Sequence, residues 1–236
     1  MIEIVLSGPG KNALSTAVML ALIEQLDRAE GAPVLLRGAG DAFSAGLNLV
    51  EVAGLDAAGM DTFLTALEDL LHALYNYPGP TVAAVNGHAI AGGCLVAMCC
   101  DHRVCAAEPT LKIGLNEVAL GLQFPPAVLA LARRRLAPQA FDEAILGARL
   151  YGPQEALRVG YVDEVASDVA AVAGVRLAEL ARHPRDAYAA AKRAIRAGVL
   201  DADSAQRRAA REALLPVWTR PDLKARILGF LGGRKG

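Results

Sequence analysis

An excess of charge of either sign is missing from this chain. Its 24 Lys and Arg side chains meet 25 Asp and Glu, a formal net charge of −1, so the basic footprint of a nucleic-acid binder is absent. Cysteine is scarce: the four residues Cys94, Cys99, Cys100 and Cys105 are confined to one short stretch of the 236. A disulfide scaffold would spread them along the chain. They form no Cys-x-x-Cys pair and no second ligand knuckle accompanies them, so the sequence offers no metal site. They read instead as small buried hydrophobes. The N-terminus lacks a basic segment followed by an apolar stretch, as a secretory leader would show. Arg234-Lys235-Gly236 is not a peroxisomal tripeptide. A cytoplasmic location is therefore the expectation. Short repeats are absent despite 23 Gly and 12 Pro, which excludes collagenous and low-complexity chains.

A membrane span is also missing. No Asp, Glu, Lys or Arg falls between Asp69 and Asp101, but Pro78, Pro80, Asn86 and His88 interrupt that stretch and would be costly in lipid. It reads as a buried strand, a loop and a buried helix. What is present is apolar: 54% hydrophobic against 21% charged residues and a mean hydropathy of +0.33. Such a chain is globular and core-rich rather than disordered, and long enough for one large domain or two small ones.

Residues 2–6 alternate as an edge strand. Apolar residues at helical spacing over 16–29 (Met19, Leu22, Ile23, Leu26) predict a helix capped by Ser15. Residues 33–36 and 81–85 read as buried strands, 61–77 as a helix stopped by Pro78-Gly79-Pro80, and 92–100 as a buried helix. Short strands over 103–106 and 111–113 precede a helix over 127–135, whose Arg133-Arg134-Arg135 reads as a solvated face. From Pro184 onward only helices are expected: 186–197, 204–215 and 221–231. The pattern predicts an α/β core over residues 1–183 and a helical region over 184–236.

Two tempting motifs fail. Gly38-Ala39-Gly40 follows a strand, but the third glycine of a dinucleotide fingerprint falls on Phe43. Ala42-Phe43-Ser44-Ala45-Gly46 lacks the first glycine of a nucleophile elbow, leaving Ser44 as a loop hydroxyl. His88 and His102 flank the buried helix and suit hydrogen-bonded core positions. Two other segments are built to present backbone N–H groups. In Phe43-Ser44-Ala45-Gly46-Leu47-Asn48, Gly46 frees the turn and Asn48 can cap the next helix. Ala91-Gly92-Gly93 opens the buried helix, where orphan N–H donors and the helix dipole favour an anionic oxygen, although close helix–strand packing explains the same small residues. Glu117 then stands alone in Ile113-Gly114-Leu115-Asn116-Glu117-Val118-Ala119-Leu120. It is either a solvent-facing residue or a desolvated base.

Ala42 through Leu47, Val85-Asn86-Gly87 through Ala91-Gly92-Gly93-Cys94, and Cys100-Asp101-His102-Arg103 resemble the oxyanion-hole segments of the crotonase (enoyl-CoA hydratase/isomerase) superfamily. Gly152-Pro153-Gln154-Glu155-Ala156 and Gly160-Tyr161-Val162-Asp163 resemble the stretch that follows there. The resemblance implies a spiral of ββα units, a helical C-terminal region for assembly as a trimer or a dimer of trimers, an acyl-CoA thioester substrate, and no cofactor beyond the CoA carried by that substrate. It places the work in fatty-acid metabolism by β-oxidation. It puts the thioester oxygen on the Leu47 and Gly92 amides, with Ala45, Gly46, Leu95 and Asn116 around the substrate and Glu117 as the catalytic acid–base. Hydratases of this family carry two glutamates, and the first falls at Leu95 here, which leaves water no partner. Gly92-Gly93-Cys94-Leu95-Val96-Ala97 and Gly114-Leu115-Asn116-Glu117 resemble the mitochondrial-type Δ3,Δ2-enoyl-CoA isomerases. Hydration or another acyl-CoA lyase reaction on the same fold, and a non-catalytic acyl-CoA-binding trimer, are the alternatives. For the CoA phosphates the candidates are Lys192, Arg196, Lys224 and Arg226, none singled out.

Overall fold

Strands buried on both faces are near-continuous apolar runs, and such runs pair in parallel. In the computed structural model, which describes residues 1–232, five strands form one parallel sheet. Its strands are β1 (Ile2–Leu6), β2 (Val34–Gly38), β4 (Thr81–Val85), β6 (His102–Ala106) and β8 (Glu164–Ala166), in the order β1-β2-β4-β6-β8, with β1 at an edge as expected. The three short intervening strands, β3 (Ala42–Ser44), β5 (His88–Ile90) and β7 (Ile113–Gly114), form a second parallel sheet in the order β3-β5-β7. Successive strand pairs thus send their first member to the large sheet and their second to the small one. This is the ββα spiral that the resemblance implies.

The helices fill the crossovers. After a single kinked turn, α1 (Pro9–Asn12), come α2 (Thr16–Arg28), α3 (Leu49–Gly54), α4 (Ala57–Tyr75), α5 (Gly92–Cys99), α6 (Glu117–Leu120) and α7 (Pro126–Arg135). The helices α8 (Phe141–Leu146), α9 (Pro153–Val159) and α10 (Val169–Leu180) follow, then α11 (Arg185–Arg196), α12 (Ser204–Trp218) and α13 (Pro221–Gly232). The predicted cap is in place: Ser15 Oγ accepts the Val18 N–H at 3.2 Å. Alternation along β4 sorts its side chains between two cores. Val82 and Ala84 pack with Leu35 and Val104 against Ala173 and Leu177 of α10, whereas Ala83 and Val85 face the main core.

The C-terminal helices fold back on the rest of the chain: α12 packs on α4, and α13 on α3 and α6. Residues 234–236, the basic end of the expected helical region, lie outside the described residues. Two expectations about basic side chains are corrected here. Lys192 and Arg196 of α11 are buried rather than at the surface, drawn in by Asp101, whose carboxylate they meet at 2.8 and 2.6 Å. Arg135 is not part of a solvated face either, since its Nη2 donates to the Cys100 carbonyl at 2.6 Å.

Candidate active site

In a parallel sheet all strands end on one edge, and loops leaving that edge meet. The small sheet makes this geometry specific. Ser44 pairs with Ala89, and Ala89 with Ile113 and Ile90 with Gly114. The segments that follow, reaching Leu47, Gly92 and Glu117, therefore leave the sheet side by side. The main chain ties two of them together: the Ala91 N–H donates to the Gly114 carbonyl at 2.8 Å.

Leu47 sits in a parallel bridge with Leu14. The Leu14 N–H donates to Gly46 O and the Asn48 N–H to Leu14 O. A parallel bridge of that pattern turns Leu47's own N–H to the opposite side, where it has no acceptor among the described residues. Gly46 makes the turn with φ +92°, and a methyl group on it would lie 2.6 Å from Ile90 O, so only glycine fits. Gly92 begins α5, and a first-turn N–H has no partner within its own helix. The two residues are in contact: a methyl group on Gly92 would lie 2.8 Å from Leu47 Cδ2. Ala91 adopts φ 49° and ψ −122°, a conformation that costs of order 1–3 kcal/mol and persists where surrounding structure imposes it. Its hydrogen bond to Gly114 is that constraint.

Glu117 opens α6 and is 5% exposed; it is the only acid buried among the described residues. Burial pushes its carboxyl up to about 7, partly offset by the N–H groups of Glu117 itself and Asn116. Its Oε2 has no hydrogen-bond partner, and neither does Oδ1 of the neighbouring Asn116. A buried carboxyl titrating near neutrality, with one oxygen free, suits a general base that later acts as an acid. Of the two readings open for Glu117, the desolvated one describes the fold.

Leu95 and Ala45 lie where the sequence puts them, Leu95 buried on α5 and Ala45 in the first loop, its N–H held by Lys11 O at 2.8 Å. Asn48 caps α3 through the Glu51 N–H. Ser44 is corrected from loop hydroxyl to buried strand residue. Its Oγ donates to Asn12 O at 2.8 Å and accepts the Gly46 N–H at 3.2 Å, fixing the first donor loop. Tyr161 holds the loop before Glu117 by accepting the Leu115 N–H at 3.4 Å. A tyrosine beside an otherwise apolar glycine loop was the one signal for it. His88 stands at the opposite end of β5 from Gly92 and accepts the Lys112 N–H. His102 lies 3.4 Å from Glu164. All four cysteines are buried, with the thiols of Cys99, Cys100 and Cys105 pushed up to about 12 by desolvation. No cluster of three potential metal ligands occurs among the described residues. Of the basic candidates, Lys224 and Arg226 stay near the site: Lys224 Nζ donates to Leu55 O, and Arg226 lies over Gly121.

The family model described as enoyl-CoA hydratase/isomerase matches residues 1–235. The chain is 35% identical over 162 residues to the human protein named enoyl-CoA delta isomerase 1, mitochondrial, a match that covers 66% of this chain and 54% of the relative. That match spans little more than half of the relative's length. It is 32% identical over 215 residues to a probable enoyl-CoA hydratase of Mycolicibacterium paratuberculosis, covering 89% of this chain and 82% of that one. In structure it superposes on human mitochondrial delta3-delta2-enoyl-CoA isomerase with a TM-score of 0.93 at 29% identity, over 99% of this chain and 94% of that one.

Proposed function

The chain belongs to the enoyl-CoA hydratase/isomerase family, and on that footing we propose that it is an isomerase converting 3-enoyl-CoA to 2-trans-enoyl-CoA. The observation that carries this reading is the single buried carboxylate, Glu117, at an edge where Leu95 stands in the place of a second one. Adding water requires polar groups to hold and deprotonate it, and Leu95 supplies none. Moving a proton between two carbons requires only one carboxylate and a stabilised enolate.

In this mechanism the thioester oxygen accepts the N–H groups of Leu47 and Gly92. Glu117 Oε2 removes a proton from C2, and the C–H electron pair delocalises into a dienolate whose oxygen charge rests on those two amides. The carboxylic acid so formed returns the proton to C4, leaving the double bond between C2 and C3. No cofactor takes part. Lys224 and Arg226 are the basic side chains proposed to meet the CoA phosphates, and the helical region from residue 184 is proposed to carry assembly as a trimer or a dimer of trimers. Cytoplasmic β-oxidation is the setting proposed for the reaction.

A spectrophotometric assay with 3-enoyl-CoA and 2-enoyl-CoA tests the reading. Isomerisation is expected to exceed hydration by at least about 10²-fold. Comparable rates establish hydration as the activity, in line with the relatives named hydratases, and turnover of neither substrate with CoA esters still bound leaves a non-catalytic binder. The donor pair has its own test in Gly93→Ala. The added methyl would lie 2.5 Å from Ser44 O and 2.6 Å from Ser44 Cβ, so the first turn of α5 must lift off β3 and take the Gly92 N–H with it. Losing one such donor costs about 10²–10³ in kcat, and steady-state kinetics on the folded variant should show a loss of that order.

A further inference from the structure

A cavity of about 270 Å³ lies away from Glu117, between α7 and α11. Its lining includes Arg134, Arg135, Lys192 and Arg196, and a single acid, Asp101. That acid is already engaged. Its Oδ2 accepts the Thr81 N–H at 2.8 Å, the Thr81 hydroxyl at 3.0 Å and Lys192 Nζ at 2.8 Å, and its Oδ1 accepts Arg196 Nη2 at 2.6 Å. A carboxylate offers about four lone-pair sites, and the four donors it already takes include neither of the other two guanidiniums.

Among the described residues neither Arg134 nor Arg135 meets a carboxylate. Arg135 donates Nη2 to the Cys100 carbonyl, while its Nε is buried without a partner. Desolvation and the repulsion of Arg103 and Arg196 bring its guanidinium down to about 10. Buried cations in folded proteins are paired, because an uncompensated one is expensive. Here no carboxylate among the described residues supplies the counter-charge, and the Arg135 side chain lines the cavity. We infer that this cavity is an anion site taking a phosphate group, separate from the catalytic edge and bridging α7 to α11. A dianionic tetrahedral group matches the surplus of guanidinium donors better than a single carboxylate does.

Thermal unfolding and calorimetric titration of the whole protein with inorganic phosphate, at ionic strength held constant with chloride, test the inference. Phosphate should raise the unfolding midpoint above the chloride control and bind with measurable heat. Arg134→Glu, an exposed position, should weaken binding at least about tenfold, the effect of one reversed charge near an anion. Arg135→Gln should do the same if it folds, and Glu117→Gln should leave binding unchanged. Adenosine monophosphate as a second probe separates the sources: competition at lower concentration than inorganic phosphate means a nucleotide phosphate, and weaker competition means free phosphate. Equal midpoints in phosphate and chloride overturn the proposal, as does undiminished binding in Arg134→Glu. A concentration-dependent loss of oligomer in Arg134→Glu without phosphate binding by the wild type also overturns it, assigning the counter-charge to a second copy of the chain.

Discussion

Glu117→Gln is expected to lose isomerisation by at least about 10²-fold while keeping its affinity for the CoA thioester. General acid–base groups contribute about 10²–10⁴-fold, and a loss in kcat without a rise in KM identifies an interaction made only in the transition state. Gln preserves the shape and one acceptor but takes no proton from carbon. The same side chain sets the pH profile. Burial holds its carboxyl at about 7 and only the ionised form is a base, so kcat/KM of the wild type should rise with pH, pass half-maximum near neutrality and level off above. A profile flat from acid pH upward would assign the proton to another group.

That elevation has a thermodynamic counterpart of definite sign. The folded carboxyl binds its proton more tightly than the unfolded one, so its contribution to stability is complete below the unfolded value of 4.5 and is lost as the pH climbs through about 7. A shift of that size corresponds to about 3 kcal/mol. Glu117→Gln, which carries no charge to bury, should therefore be more stable than the wild type at alkaline pH by up to about 3 kcal/mol. The gap should close toward pH 5, where the wild-type carboxyl is neutral too. Denaturant titrations at the two pH values give the comparison. Lost activity together with gained stability marks a group held against its own folding preference.

The parts of this site that were legible in the sequence are those whose chemistry is local. Gly46 and Gly92 announce backbone donors by their small size next to a strand end, Ser15 and Asn48 announce caps, and Glu117 stands out because its neighbours are apolar. Strands such as Thr81–Val85, an apolar run bounded by proline and glycine, keep their predicted limits. The small sheet was barely legible: β3 and β5 have three residues each and β7 has two, too short for alternation to show, and only the strand expected over 111–113 touches it. Yet this sheet brings the two donor segments and Glu117 together, and only the family resemblance suggested that they meet. α4 begins at Ala57 rather than 61 because Asp56 caps it through the Gly59 N–H, before the apolar stripe becomes visible. α12 runs through Pro216 to Trp218, past the expected end at 215. Lys192 and Arg196 looked like surface residues because their partner lies 91 and 95 positions away in the chain, and composition carries no trace of pairing at that separation.

The distant partner is also where the stability of the helical region can be tested most sharply. Asp101 is 12% exposed, and the two cations it holds are 5% exposed. Removing one member of a buried pair costs about 3–5 kcal/mol, because the remaining charge stays buried without compensation. Asp101→Asn keeps the volume and one acceptor for the Thr81 N–H, so its effect isolates the charge. The variant should unfold at lower denaturant by an amount in that range, and α11, which Lys192 and Arg196 pin to the core, should lose amide protection first. Burial already holds Lys192 down at about 8, and Asp101 is the neighbour that props it up. Without that carboxylate Lys192 gives up its proton at lower pH. Its share of the pairing is complete where it is charged in both proteins and gone where it is neutral in both. The deficit of Asp101→Asn should accordingly shrink as the pH rises through 8, leaving the part that belongs to Arg196. A deficit that does not change across that range would mean that Arg196 alone anchors the helix.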